Sequence, residues 1–411
     1  MPASSFRQKQ YRLNILLISI AEGRLRPHGH RSFFIVTCRT PRRKTMPKRN
    51  ERKYVCMKKG FRLSTLFIIL LVTTAFILTG CTGGGEKPSA AQADDAKPKF
   101  VNGKLTKEFN LKVPTQTGFN EIYIGDHLGF YKEVGLNIEY TGSISGGMLA
   151  QSVIKGDNHL FAAGHILTIA QARQAGAKIK VVLQGSFDNS DTDKIHMTWL
   201  VREDSPIKSA QDLIGKKVSI NYIGSCTELL FSEYLRQNGV SRDQVTFVTM
   251  PDGQAENSLR QGLIDVAGIH NIFTVSALQR GGVRPLTDTF SIGTKAGNGP
   301  ASSYSVRAFS EDFIRNNPDV VKAYIAATVK TQHWINNNYA EALKIAAAYL
   351  KIDPEKATGT VYPPENAIDP EKINFWIKLM EQNNFVQPGS VDPADLYTND
   401  LNPYYTGEIK E

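Results

Sequence analysis

The chain predicts an α/β fold of two lobes built on one strand–helix plan and joined by two crossings. Three observations carry this. Between Leu111 and about Thr289 short β-type runs alternate with helical stretches, and each strand is followed by a turn rich in Gly, Ser or Thr. A set of landmarks then recurs at a nearly constant offset of 104 to 106 residues. Finally, Thr198–Asp204 (TWLVRED) and Ser303–Ala308 (SYSVRA) echo each other as β-rich runs with Val-Arg near the end, and read as the two crossings.

The strands expected in order are Asn110–Pro114, Asn137–Tyr140, Leu160–Ala163, Lys180–Gln184, Met197–Arg202, Lys217–Tyr222, Val245–Thr249, Val266–Ile269 and Ser303–Val306. Helices are expected to start near Glu121, Gly147, Ile166, Ala210, Thr227, Gln254, Phe273, Glu311, Asp319 and Glu371. In the first copy of the repeat, Gly135-Leu136 leads a strand, Ser143–Gly147 forms a loop, Val153–Gly156 ends a helix, and Phe161–His165 makes the next strand and turn. Gly239-Val240, Pro251–Gly253, Leu259–Gly262 and Val266–His270 follow in the same order, so His165 and His270 become counterparts. Lobe one is then 108–200 plus 303–411, and lobe two is 201–302.

Ahead of the lobes the chain is a different polymer. Its 49 Lys and Arg against 39 Asp and Glu suggest a basic protein, yet residues 1–80 hold 17 of the basic groups with only Glu22 and Glu51 against them. From Cys81 onward 32 basic and 37 acidic residues leave a balance of −5, so no basic face is available for phosphates and no nucleic-acid partner is expected. Lys58-Lys59 and Arg62 precede the apolar run Leu66–Leu78, too short to span a bilayer core of about 30 Å comfortably, which is the pattern of a secretion signal. Residues 57–80 are therefore expected to be a signal peptide.

The tetrad Leu78-Thr79-Gly80-Cys81 resembles the bacterial lipobox, and that resemblance makes Cys81 the lipidated residue and anchors the mature chain to the membrane by acyl chains such as palmitate. Residues 81–107 read as a flexible tether, since Thr82–Ala96 is Gly, Ser, Ala, Gln and Asp rich without apolar periodicity. Residues 1–56 are expected to be an upstream extension outside the functional protein, as from a start codon assigned too far upstream; an unusually long basic leading region is the other reading. Cys38 and Cys56 fall in this leader, so Cys226 is left alone in the folded part and neither an internal disulfide nor cysteine-based zinc ligation is expected there.

Two loops stand where a strand meets a helix. Thr141–Gly147 carries Ser143, Ser145, Gly146 and Gly147, whose backbone N–H groups and hydroxyls at a helix start suit a carboxylate, sulfonate or nitrate; Ser-Gly-Gly also reads as a plain cap and turn. Ile223–Thr227 holds the matching place in lobe two with Gly224, Ser225, Cys226 and Thr227, so the two loops are expected to face each other across the cleft as ligand loops; Ser225 and Thr227 are also natural caps, and Cys226 reads as a partly buried small side chain rather than a reactive thiol. His165 after Gly164, and His270 before Asn271, are placed to donate to a ligand. A third metal ligand at a persuasive spacing is missing, so no metal is expected. Asp188, Asp191 and Asp193 read as a solvated loop or as a site for a cationic ligand, and Phe119, Tyr222 and Trp199 as core or as an aromatic wall.

Several stretches carry a resemblance to a known family. They are Thr117-Gly118-Phe119-Asn120 after the first strand, Gly129–Glu139 (GFYKEVGLNIE), Gly176–Val182 (GAKIKVV), Asp204–Val218 (DSPIKSAQDLIGKKV), Gln261–Val266 (QGLIDV) and Asn317–Val321 (NPDVV), with Trp334-Ile335 downstream. In family order over roughly Leu111–Lys351, they resemble the solute-binding proteins of ABC transporters for nitrate, sulfonate and bicarbonate, a group that includes thiamine-pyrimidine-like binders. The resemblance implies a type II periplasmic-binding-protein-like fold. It also implies a monomer outside the cytoplasm that closes on a small anionic or heteroaromatic solute and hands it to an ABC permease driven by its ATPase. No cofactor is implied. Enzyme signatures do not compete: G-x-S-x-G, G-x-x-x-x-G-K-[ST], H-E-x-x-H and the cysteine-rich motif of the thiamine-pyrimidine synthases are all missing from the sequence. A sensor that keeps the binding fold is the alternative.

Overall fold

A computed structural model describes residues 97–410. The upstream extension 1–56, the signal 57–80, the anchor Cys81 and the tether as far as residue 96 lie outside the described residues. What is described of the tether is already folded. Phe100–Val101 (β1) and Lys104–Leu105 (β2) form a hairpin turned through Asn102 and Gly103, both at positive φ, and the Phe100 N–H donates to Asp319. Leu105 is buried, so Phe100–Leu105 belongs to the folded part and not to the tether expected over 81–107.

Lobe one begins with β3 (Phe109–Val113), α1 (Glu121–His127), α2 (Phe130–Glu133), β4 (Leu136–Tyr140), α3 (Leu149–Lys155), β5 (Leu160–Phe161), α4 (Ile166–Gln174) and β6 (Ile179–Gln184). Lobe two runs through β7 (Met197–Arg202), β8 (Lys217–Ile220), α5 (Cys226–Gln237), β9 (Thr246–Thr249), α6 (Asp252–Arg260), β10 (Ala267–His270), α7 (Asn271–Gln279), β11 (Val283–Asp288) and α8 (Thr289–Ala296). The chain returns through β12 (Val306–Ser310) to α9 (Glu311–Asn316), α10 (Pro318–Asn337), α11 (Tyr339–Leu350), α12 (Pro370–Gln382) and α13 (Pro393–Leu396).

The repeat is visible in the pairing. β3 and β4 are parallel in lobe one, as β8 and β9 are in lobe two. β12 inserts antiparallel between β5 and β6, and β7 inserts antiparallel between β10 and β11. Each lobe therefore receives one strand directly after a crossing. IKVVLQ of β6 and MTWLVR of β7 are almost wholly buried on both faces, which explains their near-continuous apolar composition.

The crossings differ from the expectation. Met197–Arg202 belongs to the lobe-two sheet along its whole length, so the boundary at 200 moves upstream, and the linking segments are Gly185–His196 and Gly297–Ser305. They are fastened to each other: the Gly185 N–H donates to the Ser305 carbonyl at 2.7 Å, and the Asp188 N–H to the Pro300 carbonyl at 2.9 Å. The buried Asp188 carboxylate accepts from the His196 and Asn189 N–H groups and from Ser302 Oγ, with its pKa pushed up to about 6 by burial. This aspartate is a hinge clasp rather than part of a solvated loop. α12, assigned to lobe one by the sequence, bridges the lobes: Trp376 Nε1 donates to the Ala301 carbonyl and Asn383 Nδ2 to Glu233 of α5.

Other elements shift too. The helix expected near Ala210 is one short 3-10 turn, Gln211–Leu213, and the strand expected at 303–306 begins at Val306. β11 was hidden by Pro285, a residue that argues against a strand interior but is tolerated here because β11 is an edge strand with a register shift beside the proline. α8 and α11 were not anticipated either.

Candidate functional site

Between the lobes lies a cleft of about 660 Å³. Lobe one contributes Thr117, Gly118, Phe119 and Asn120 from the turn after β3, Ser145 and Gly146 before α3, and Gly164 and His165 before α4. Lobe two contributes Ser225 and Cys226 at the start of α5, Pro251–Gly253 at α6, and His270 and Asn271 at α7. The crossings add Ser186, His196 and Ser305.

The geometry follows from the repeat. His165 and His270 are the N-cap residues of α4 and α7, and neither imidazole caps its own helix. Ser225 caps α5 by accepting from the Glu228 N–H, and Pro251 precedes α6. Four helices of at least two turns thus aim their amino ends at one cavity, a field that favours negative charge. Gly164 sits at φ +146, and a Cβ there would fall 2.5 Å from the Phe161 ring, so only glycine lets the strand turn into α4 with that ring in the cleft wall.

Not every expected residue faces the cavity. Thr227 is buried with its hydroxyl on Asn221 Oδ1 and Met197 Sδ, and Gly224 lines a separate cavity with Gln171 and Glu228. Ser143 and Gly147 stand outside the lining, although Gly147 packs on Tyr222, which does line it. Phe119 and Tyr222 are wall residues, whereas Trp199 is core.

The sequence missed the charged partners. Asp252 Oδ2 lies 2.6 Å from His270 Nδ1; burial lowers the His270 pKa, but the carboxylate outweighs it and carries the imidazole up to about 10. His196, whose ring is 4.9 Å from that of His270 and 5.2 Å from that of His165, is pushed by burial down to about 4 and stays neutral. Burial raises the Cys226 thiol, yet His165, His196 and His270 together hold it well below the ordinary thiol range. Arg307 reaches the cleft from β12 while gripping Glu121 through two buried bonds of 2.6 and 2.7 Å, and Tyr362 donates to the same carboxylate. Charge inside the cleft is thus largely paired, and the helix amino ends supply the excess positive field.

The family profile described as NMT1/THI5 like matches residues 116–342, more than half the chain and most of both lobes. The chain belongs to this family. It is 26% identical over 204 residues to the taurine-binding periplasmic protein of Escherichia coli K12, an overlap of 49% of this chain and 59% of that one, so it spans less than two thirds of that relative. In fold it is similar to the alkanesulfonate-binding protein of Xanthomonas axonopodis pv. citri solved with MOPS bound (TM-score 0.58, 16% identity, 71% of this chain and 99% of that one). It is likewise similar to the periplasmic nitrate-binding protein of Synechocystis PCC 6803 (TM-score 0.57, 14% identity, 74% and 88%). The family named from the sequence motifs and the two-lobed type II fold are both borne out.

Proposed function

We propose that the protein is an extracytoplasmic solute-binding lipoprotein of an ABC importer. It captures a small organic or inorganic anion of the sulfonate or nitrate kind between its lobes without transforming it, and presents the closed form to a permease and its ATPase. The observation that carries this is the convergence of four helix amino ends from both lobes on one cleft at the hinge. Kinship with a protein named as periplasmic and taurine-binding supports both the location and the anionic class. The signal at 57–80, acylation at Cys81 and a tether from there to about residue 99 complete the reading, with 1–56 outside the mature chain.

Closure is a rigid-body step: one lobe holds the solute, and rotation about Gly185–His196 and Gly297–Ser305 brings the other lobe's helix ends onto it. A thermal-shift panel of sulfonates, nitrate, bicarbonate and pyrimidines tests this. A ligand at 100 times its dissociation constant adds about 2.7 kcal/mol and raises the melting temperature. A shift from one anionic class supports the reading; a shift from pyrimidines alone replaces the anion with a heteroaromatic, and none from any class overturns it.

A further inference from the structure

We propose that His165, His196 and Cys226 form a binding site for a borderline-soft divalent metal of the zinc class, with a fourth coordination position opening into the cleft. The inference goes beyond the anion reading and does not require it.

One donor atom from each of the three side chains lies within 4.8 Å of the other two. A tetrahedral ion with bonds of about 2.0–2.1 Å to nitrogen and about 2.3 Å to sulfur sets its donors roughly 3.3–3.8 Å apart, so the trio needs to draw in by about 1 Å. The three come from separate parts of the fold: the start of α4, the first crossing and the start of α5. That is why no ligand spacing appears in the sequence.

A second observation points the same way. His165 Nδ1 and His196 Nε2 are buried and make no hydrogen bond, although His165 is only 7% exposed. Buried polar atoms are almost always partnered, and each of the two histidines that meet the thiol carries a buried nitrogen left without one, which marks a missing partner for this cluster. A hydrogen-bond donor could serve one histidine; a metal ion takes one nitrogen from each imidazole and the sulfur too. Two imidazoles with one thiolate suit zinc, cobalt, nickel or copper ions and disfavour the oxygen-seeking calcium and magnesium. Cys226 is the one cysteine among the described residues, so a disulfide within them does not compete for it. His270 borders the site with its Nδ1 on Asp252, the carboxylate–histidine pairing that orients imidazoles around metals. All four residues line the cleft, which leaves the open position accessible to water or to an anionic solute head.

The test uses the purified protein, stripped with a chelator and titrated with Co²⁺ and then with Zn²⁺ against a chromophoric competitor. One equivalent of Co²⁺ is expected to give a thiolate-to-cobalt charge-transfer band and the intense visible bands of a four-coordinate ion, both erased by Zn²⁺. Cys226→Ser removes the charge-transfer band, and His165→Ala and His196→Ala each weaken Zn²⁺ by at least roughly ten-fold, with circular dichroism confirming the fold. Should Cys226→Ser fail to fold, a mature chain with Cys81→Ser keeps Cys226 as its one cysteine and must keep the band. A six-coordinate spectrum without charge transfer, or Zn²⁺ affinity unmoved by the histidine changes, overturns the site. Repeating the anion panel on the stripped protein separates the two ideas, because anion binding there stands or falls without the metal.

Discussion

The two lobes share a backbone plan and diverge in chemistry. β5–α4 and β10–α7 are counterparts that each put a histidine at a helix amino end in the cleft. The lobe-two imidazole is held by Asp252, which opens α6; at the corresponding start of the lobe-one helix stands the Gly146-Gly147 turn, and His165 Nδ1 has no partner. The strands that follow the crossings diverge in the same way. Val-Arg appears in both, but it falls at the cleft end of β12 and at the far end of β7. Arg307 is consequently buried on Glu121, while Arg202 is solvent-exposed beside Asp204. Duplication of a strand–helix plan fixes where side chains can point; the residues at each point decide charge and ligand.

The sharpest way to break this comparison is at the two arginines. Arg307→Ala strands a buried carboxylate and is expected to cost about 3–5 kcal/mol in urea unfolding, whereas Arg202→Ala is expected to cost less than about 1 kcal/mol. Equal losses would mean that the two strands are equivalent after all. A smaller effect is expected at the histidines. Asp252→Ala removes the bond that holds His270 and should cost about 1.5–3 kcal/mol, the value of a hydrogen bond to a charged group. His165 has no such bond to lose, so its lobe offers no counterpart substitution; an Asp252→Ala protein as stable as the parent would erase the asymmetry.

The sequence carried the strand–helix alternation, the repeat and the cleft positions at Ser145, Gly164-His165, Ser225 and His270-Asn271 because each rests on local signals: glycines after strands, hydroxyls before helices, apolar runs of strand length. It misplaced the crossings because a buried strand following a hinge and a hinge strand have the same composition, and only the pairing of β7 with β10 and β11 tells them apart. Thr227 looked like a ligand group for the reason that hydroxyls at helix starts often are, yet its hydroxyl is spent on Asn221. Asp252, His196, Arg307 and Glu121 were invisible as a set because their meeting depends on tertiary closure across as many as 186 residues, as between Glu121 and Arg307.

The proposed function requires both lobes to close on one small anion. Small-angle X-ray scattering of the protein with and without the anion found in the panel tests it most directly. A smaller radius of gyration on binding is expected, together with loss of that compaction in Ser145→Trp, whose bulky side chain in lobe one props the cleft open. Saturating anion with an unchanged radius would contradict it, and would place binding on one lobe alone.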